Sequence, residues 1–368
     1  HMNITLPKSA LLTALTPLVP VCETKTAQNI LSHVHVMVYS GQVALTATDY
    51  DITIRSLATA TSDELGAFTV PARTLFDVLK TLPDRDVTLS VLENAWVEVK
   101  CGSSRFKVPG LPATDFPDRQ PVSWQGAATI PARLLAGVLA KTSFSASHDE
   151  TRPSLNGVMV KATPEAGELR LLAVSTDGHR LSKTEALGGD GGVAAWSAIV
   201  SNKAVSILGK LLTSGDVAIA CDNRNVNAKA GDVEFTARCM DETFPDYTKV
   251  IPSGAKNRLH VAKSALVAAV RRVSLMTSVK TSIVKLEAEN GALVLTANNP
   301  ETGTARDELP VDLDGGFTVG VNHKYVLDVL GAIDGETVTV AALDQFSPLL
   351  LTSADDAGSL FVVMPKRV

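Results

Sequence analysis

A chain of 368 residues is too long for one ordinary hydrophobic core, and a composition 45% hydrophobic and 20% charged is that of a soluble globular protein of two or three domains. No apolar run approaches the roughly 20 residues a membrane-spanning helix needs, and a formal net charge of −5 gives the chain as a whole no affinity for nucleic acid. The four cysteines, Cys22, Cys101, Cys221 and Cys239, have no CxxC spacing and read as reduced thiols of a cytoplasmic protein.

In chain order, His1-Met2 reads as an expression scar and is left out of fold reasoning. The first element is a strand running into a helix, ITLPKSALLTAL from Ile4. The stretch ALLTALTPLVPVC (10–22) superficially resembles a secretion signal, but its prolines and threonines argue against one. The same strand, joint and helix return as FTVPARTLFDVL from Phe68, ATIPARLLAGVL from Ala128, AIVSNKAVSILG from Ala198, LHVAKSALVAAV from Leu259 and TVGVNHKYVLDVL from Thr318. Pro7, Pro71, Pro131, Ser201, Ala262 and Asn322 stand at the joints, where proline or a small residue suits a helix start. Apolar residues then recur at helical spacing: Leu11, Leu15 and Leu18; Leu75, Leu79 and Leu82; Leu266, Val270 and Val273; Val326, Leu330 and Ile333. Thr142 and Gly209 interrupt the third and fourth copies.

Two further elements recur at twice that interval. GQVALTATD (41–49), LRLLAVSTD (169–177) and GALVLTANN (291–299) are alternating strands ending in polar turns. SRFKVPGLPATDFPD (104–118), VEFTARCMDETFPD (233–246) and SLFVVMP (359–365) form a second set. These repeats predict an α+β chain of three tandem homologous domains, 1–125, 126–256 and 257–368, each made of two half-units. GGDGG (188–192) is expected to be a flexible hairpin tip.

Charge is unevenly spread. Twelve-residue windows from the six joints hold eleven Lys or Arg and two acids, a sum of +9, while the remainder of the chain sums to −14. Either these are the solvated faces of amphipathic helices, or equivalent helices share one side and make a positive surface for a polyanion. With 5% aromatic residues and no base-stacking motif, such binding would be to phosphates and indifferent to sequence.

Chemistry is sparse. TDGHR (176–180) is the most site-like string, but an Asp177–His179 hydrolase lacks a GxSxG or an activated cysteine, and a polar turn capped by Asp177 is the simpler reading. No histidine spacing suits a metal, and no GxxxxGK[ST] or GxGxxG offers a nucleotide loop, so no cofactor is expected.

Taken together, LTATD (45–49), TVPAR (69–73), RPSLNGV (152–158), TDGHRL (176–181), FPDY (244–247), ANNPE (297–301), YVLDVL (325–330) and the terminal VVMPKRV (362–368) resemble the bacterial sliding clamps, the beta subunits of DNA polymerase III, along the full chain. The resemblance implies the DNA-clamp fold, with helices lining a ring and antiparallel sheets outside. It also implies a non-enzymatic processivity factor that closes as a head-to-tail homodimer around double-stranded DNA. Twelve helices about 9 Å apart trace a circle of about 34 Å, which leaves a hole of roughly 25 Å. The implied partners are the polymerase III alpha subunit, other polymerases and a clamp loader, with no membrane.

Carried over by motif, the implied peptide pocket is Leu155, Thr176, Gly178, His179, Arg180, Leu181, Pro245, Val250, Val362, Met364, Pro365 and Arg367. The implied DNA-facing residues are Lys25, Arg73, His148, Arg152, Lys203 and Lys210, and the implied dimer seam joins Phe106 and Val108 to Leu275 and Met276 of the neighbour. The chain departs from the family pattern at Lys366, where an apolar residue gates the pocket, at Lys249, where arginine is common, and at Pro153 and Ser154, which lack an aromatic. A clamp-fold scaffold or second copy with altered partner preference is the alternative these departures leave open.

Overall fold

The computed structural model describes residues 2–22, 27–119, 121–191, 194–222 and 224–367. A helix lies at each of the six joints: α1 (Lys8–Leu15), α2 (Ala72–Thr81), α3 (Ala132–Ser143), α4 (Asn202–Leu211), α5 (Lys263–Ser274) and α6 (His323–Ala332). Pro7 and Pro71 are themselves the N-caps, while Ser201 and Asn322 cap with their side chains, accepting from the N–H of Ala204 and of Lys324. All twelve apolar positions of the predicted stripes are buried, including Leu18, Leu82 and Ile333, which lie just past their helix ends. The interruptions are absorbed locally. Thr142 is buried with its hydroxyl 2.8 Å from the Val138 carbonyl, and α4 buries Ala204, Val205, Ile207 and Leu208 while Gly209 stays exposed.

One hydrogen bond marks the repeat. The N–H of Lys8 donates to the Arg85 carbonyl (3.0 Å), that of Ala132 to Gly215 (2.9 Å) and that of Lys263 to Glu336 (2.8 Å). Each is the first helical N–H, which has no partner within its own helix. Each is satisfied by the turn that follows the second helix of the same repeat. Three equivalent bonds therefore tie half-unit to half-unit three times.

The chain nevertheless packs as two compact units, residues 1–136, 163–169 and 188–239 in one, and 137–162, 170–187 and 240–368 in the other. Sheet continuity explains why the repeats do not separate. In the first unit an eight-stranded sheet runs in the order 128–131, 216–221, 225–230, 233–238, 52–59, 42–48, 33–39, 66–71. Its strand Val233–Arg238 pairs with the first repeat, from Val233 opposite Ser56 to Ala237 opposite Ile52. A five-stranded sheet, in the order 61–62, 3–7, 86–91, 97–101, 104–108, lies in the same unit, with Ser104–Val108 at its edge.

In the second unit, residues 180–184 pair antiparallel with Ser359–Val363, Arg180 opposite Val363 and Thr184 opposite Ser359. A four-stranded sheet runs 303–310, 292–299, 283–289, 317–322. Its inward side chains, among them Val284, Leu286, Leu293, Leu295, Val319 and Val321, join the buried faces of α5 and α6 in one core.

The glycine-rich stretch at 188–192 differs from expectation. Gly189 has φ +72°, and a Cβ there would lie 2.4 Å from the Thr129 carbonyl oxygen; at Gly191 one would lie 1.8 Å from that of Glu168. These glycines permit close backbone packing instead of forming a free tip. Gly192 lies outside the described residues.

Candidate functional site

The TDGHR string is a tight turn. Thr176 Oγ1 donates to the Arg180 carbonyl (2.7 Å) and accepts from the Gly178 N–H (3.1 Å). Asp177 Oδ1 accepts from the backbone N–H of His179 (2.9 Å) and of Arg180 (3.0 Å). The carboxylate thus serves the turn, as the polar-turn reading expects. Gly178 sits at φ +86°, which favours glycine, while the Arg152 guanidinium 3.1 Å from where a Cβ would lie is the movable end of an exposed side chain. The turn is fastened to the C-terminal strand, where the Met364 N–H donates to the His179 carbonyl (2.9 Å) and Leu181 stands opposite Val362.

Arg180 organises the chemistry. Its side chain is 12% exposed, with Nε 3.1 Å from Asp177 Oδ2 and a terminal nitrogen 2.5 Å from Asp328. The guanidinium also lies over the rings of Tyr325 (4.6 Å) and Phe144 (5.5 Å). The His179 ring stacks on Tyr325 with centroids 6.3 Å apart. Burial raises the Tyr325 phenol pKa, and the Asp177 charge adds to the effect. Sequence reasoning missed Phe144, Tyr325 and Asp328; the last two are three residues apart on α6, a spacing that shares one helix face.

The other expected pocket residues are unequal. Leu155 is half-buried, and its carbonyl accepts from Ser147 N–H (2.9 Å). Met364 and Pro365 are half-buried, whereas Pro245, Val250 and Arg367 are exposed. Leu181 and Val362 are 2% and 1% exposed, so their side chains pack into the core beneath the turn.

The basic residues of the helices divide into two groups. Lys8 and Lys263 send their ammonium groups to the carbonyls of Leu82 (2.7 Å) and Ile333 (2.9 Å), where the last turns of α2 and α6 lack intrahelical donors. Lys141 is held by Asp334 (2.5 Å) and Asp356 (2.8 Å), Arg272 by Asp307, and Lys203 by Asp49. These five are engaged within the fold, although Lys203 and Arg272 stay 45% and 59% exposed and keep part of their surface open to a polyanion. Arg73, Lys80, Arg133, Lys210, Arg271 and Lys324 are exposed. His148 and Arg152 are also exposed, and Lys25 lies outside the described residues. Among the described residues no cluster of His, Cys, Asp or Glu could hold a metal ion, and no helix is long and apolar enough to cross a membrane.

Of the expected seam residues, Phe106 is 37% and Leu275 76% exposed, Met276 is half-buried, and Val108 is only 5% exposed within its own unit. Val279, which the sequence reading missed, is 91% exposed. Strand Gly303–Pro310 is an edge of its four-stranded sheet, as Ser104–Val108 is of its own sheet.

Residues 2–120, 129–246 and 248–367 match, in turn, the N-terminal, central and C-terminal domains of the DNA polymerase III beta subunit. The chain belongs to the DNA polymerase III beta subunit family. It is 35% identical over 372 residues to the beta sliding clamp of Caulobacter vibrioides, covering all of both chains. It is 34% identical over 345 residues, 92% of each chain, to the beta sliding clamp of Escherichia coli. The crystal structure of the DNA polymerase III subunit beta from Pseudomonas aeruginosa superposes with a TM-score of 0.93 at 33% identity over the whole of both chains. A second structure, Caulobacter crescentus pol III beta, gives 0.93 at 34% identity, again over both full chains. The beta-subunit fold of three tandem clamp domains holds for this chain, and with the family comes a non-enzymatic role as a processivity clamp.

Proposed function

We propose that the protein works as a head-to-tail homodimeric ring that encircles duplex DNA without reading its sequence and tethers the polymerase III alpha subunit, other polymerases and a clamp loader through short peptides. The observation that carries this is the match of all three clamp domains over the full chain. Domain boundaries at 125/126 and 256/257 follow the repeat spacing, and the cytoplasm is the compartment where its four cysteines, none of them in a disulfide, persist as thiols.

The peptide site is the TDGHR turn, the Leu155 segment and the C-terminal tail, with Arg180 as its rigid centre. Apolar side chains of a partner insert there, and extended backbone lies along the tail. At the ring seam, edge strand Ser104–Val108 adds to edge strand Gly303–Pro310 of the partner subunit, which removes two open edges at once. Exposed Arg105 and Lys107 on the first complement Asp307 and Glu308 on the second. Exposed Arg73, Lys203, Lys210, His148 and Arg152 are the phosphate-facing groups on this reading, with Lys25 among them by motif. A closed ring needs a partner to thread a circle, and the loader supplies the nucleotide chemistry.

Primer extension on a primed single-stranded circle tests this reading. With loader and polymerase present, the protein should lengthen products per binding event; product lengths unchanged by its addition would reject it. The alternative, a clamp-fold scaffold with changed partners, draws on Lys366 and predicts peptide binding without that lengthening.

A further inference from the structure

Beside the C-terminal tail lies a cationic cleft that shares Pro365 and Arg367 with the expected peptide pocket and extends beyond it. Lys285 stands directly opposite Gly320, and Gly320 is bridged in turn to Lys366, whose N–H donates to its carbonyl at 2.7 Å. Residues opposite one another in such ladders project to the same face at a spacing of about 5 Å, so two lysines face outward about 10 Å apart with no side chain between them. The resulting cleft, of about 610 Å³, is lined by Lys285, Thr318, Gly320, Phe346, Lys366 and Arg367. A second cleft of about 550 Å³ shares Lys285 and Arg367 and adds Arg306.

The charge on this floor is incompletely answered. Glu287 lies 3.0 Å from Lys285 and Glu308 lies 2.6 Å from Arg306, but Lys366 and Arg367 have no ion-pair partner among the described residues. One wall is Phe346, 73% exposed despite being a large aromatic. The tail that supplies Met364 and Pro365 to the peptide site continues directly into Lys366 and Arg367, so a peptide lying along it reaches the cleft.

We propose that this cleft reads an acidic flank, one or more Asp or Glu side chains beside the apolar anchors of a partner peptide, with Phe346 covering the flank's backbone. The inference rests on the peptide-site reading above and assigns Lys366 and Lys285 as its specificity-determining residues. A peptide fits better than a phosphate backbone because Glu287 and Glu308, paired with Lys285 and Arg306, repel an extended polyanion, while a short carboxylate reaches between the lysines.

The test uses three labelled peptides and fluorescence anisotropy at low and moderate salt. The core peptide is Gly-Ser-Leu-Ser-Leu-Phe; the other two carry three aspartates before or after it. One extended peptide should bind at least about fivefold tighter than the core, with the gain falling as salt rises. In a Lys285→Met/Lys366→Met protein the gain, read as the ratio of extended-peptide to core-peptide affinity in that same protein, should drop below about twofold. Equal binding of all three peptides, or a gain that survives in the double variant, overturns the proposal. Failure of the core peptide to bind wild type rejects the peptide-site reading, and the proposal falls with it. Loss of affinity for a labelled DNA duplex in the double variant, with the acidic gain intact, would make the cleft a phosphate site and overturn the proposal.

Discussion

Replacing Arg180 by alanine should disable the peptide site from within. The guanidinium sits at 12% exposure between two rings, and each desolvated cation–π contact is worth about 1 kcal/mol. The pair with Asp328, itself 49% exposed, adds about 0.5 kcal/mol, since such pairs are largely screened. Asp177 keeps its two backbone donors after the change, so leaving it without its cation costs only about 1 kcal/mol. Together these give a loss of about 3.5 kcal/mol, and a drop in Tm of roughly 7–14 °C for a unit of this size. With the His179–Tyr325 stack no longer braced, the core peptide should bind at least about tenfold more weakly. Arg180→Lys keeps the charge but lacks the planar fork and should fall between. Calorimetry and fluorescence anisotropy on the same samples read both quantities. A Tm within 1–2 °C of wild type and an unchanged peptide affinity for Arg180→Ala would refute this role.

Leu155→Ala and Met364→Ala should each weaken the core peptide about fivefold or more without changing the dimer's sedimentation, and unaltered affinity in both would remove the site assignment. Lys210 is exposed and Lys203 is tied to Asp49, so Lys210→Ala should reduce the salt slope of DNA binding by about 0.9 and Lys203→Ala by clearly less; equal slopes would contradict the division of the basic residues. Leu275→Asp should raise the dimer dissociation constant at least about a hundredfold by analytical ultracentrifugation, because it puts a charge into the seam; an intact dimer would exclude Leu275 from it. Burial raises the Asp356 carboxyl, but the Asp334 N–H and Lys141 outweigh it and leave the pKa depressed. Its contribution is therefore present above the ordinary carboxylate range and lost as pH falls through the depressed value. Lys141→Met should then cost about 2 kcal/mol at neutral pH, a difference that narrows below about pH 4 in thermal melts; a constant difference would show that the ion pair is not its source.

Much of the architecture is written in periodicity, and that part was legible. Leu11, Leu15 and Leu18 and their counterparts announce a buried helical face by spacing alone, and Ser201 and Asn322 announce helix starts by side-chain chemistry. Long-range pairing was not legible. Nothing local in VEFTAR says that Val233 will stand opposite Ser56, so the packing of three repeats into two compact units comes from hydrogen bonds between residues far apart in sequence.

Charge was half legible. The sequence counts Lys8 and Lys263 as surface cations, whereas each reaches a helix-terminal carbonyl on a neighbouring element. At the site, TDGHR was visible as a capped turn because Asp177 bonds within four residues. Phe144 and Tyr325 come from other elements and only tertiary packing brings them to Arg180. Val108 lies on an edge strand, but its side chain is covered by its own unit, which the motif does not report.

Topology of DNA retention tests the central claim most directly. After loading onto a nicked circular plasmid, the protein should remain through gel filtration at a salt concentration that abolishes ordinary phosphate binding, and cutting the plasmid once should release it. Equal retention on the nicked circle and the cut linear form would contradict encirclement and leave only surface association.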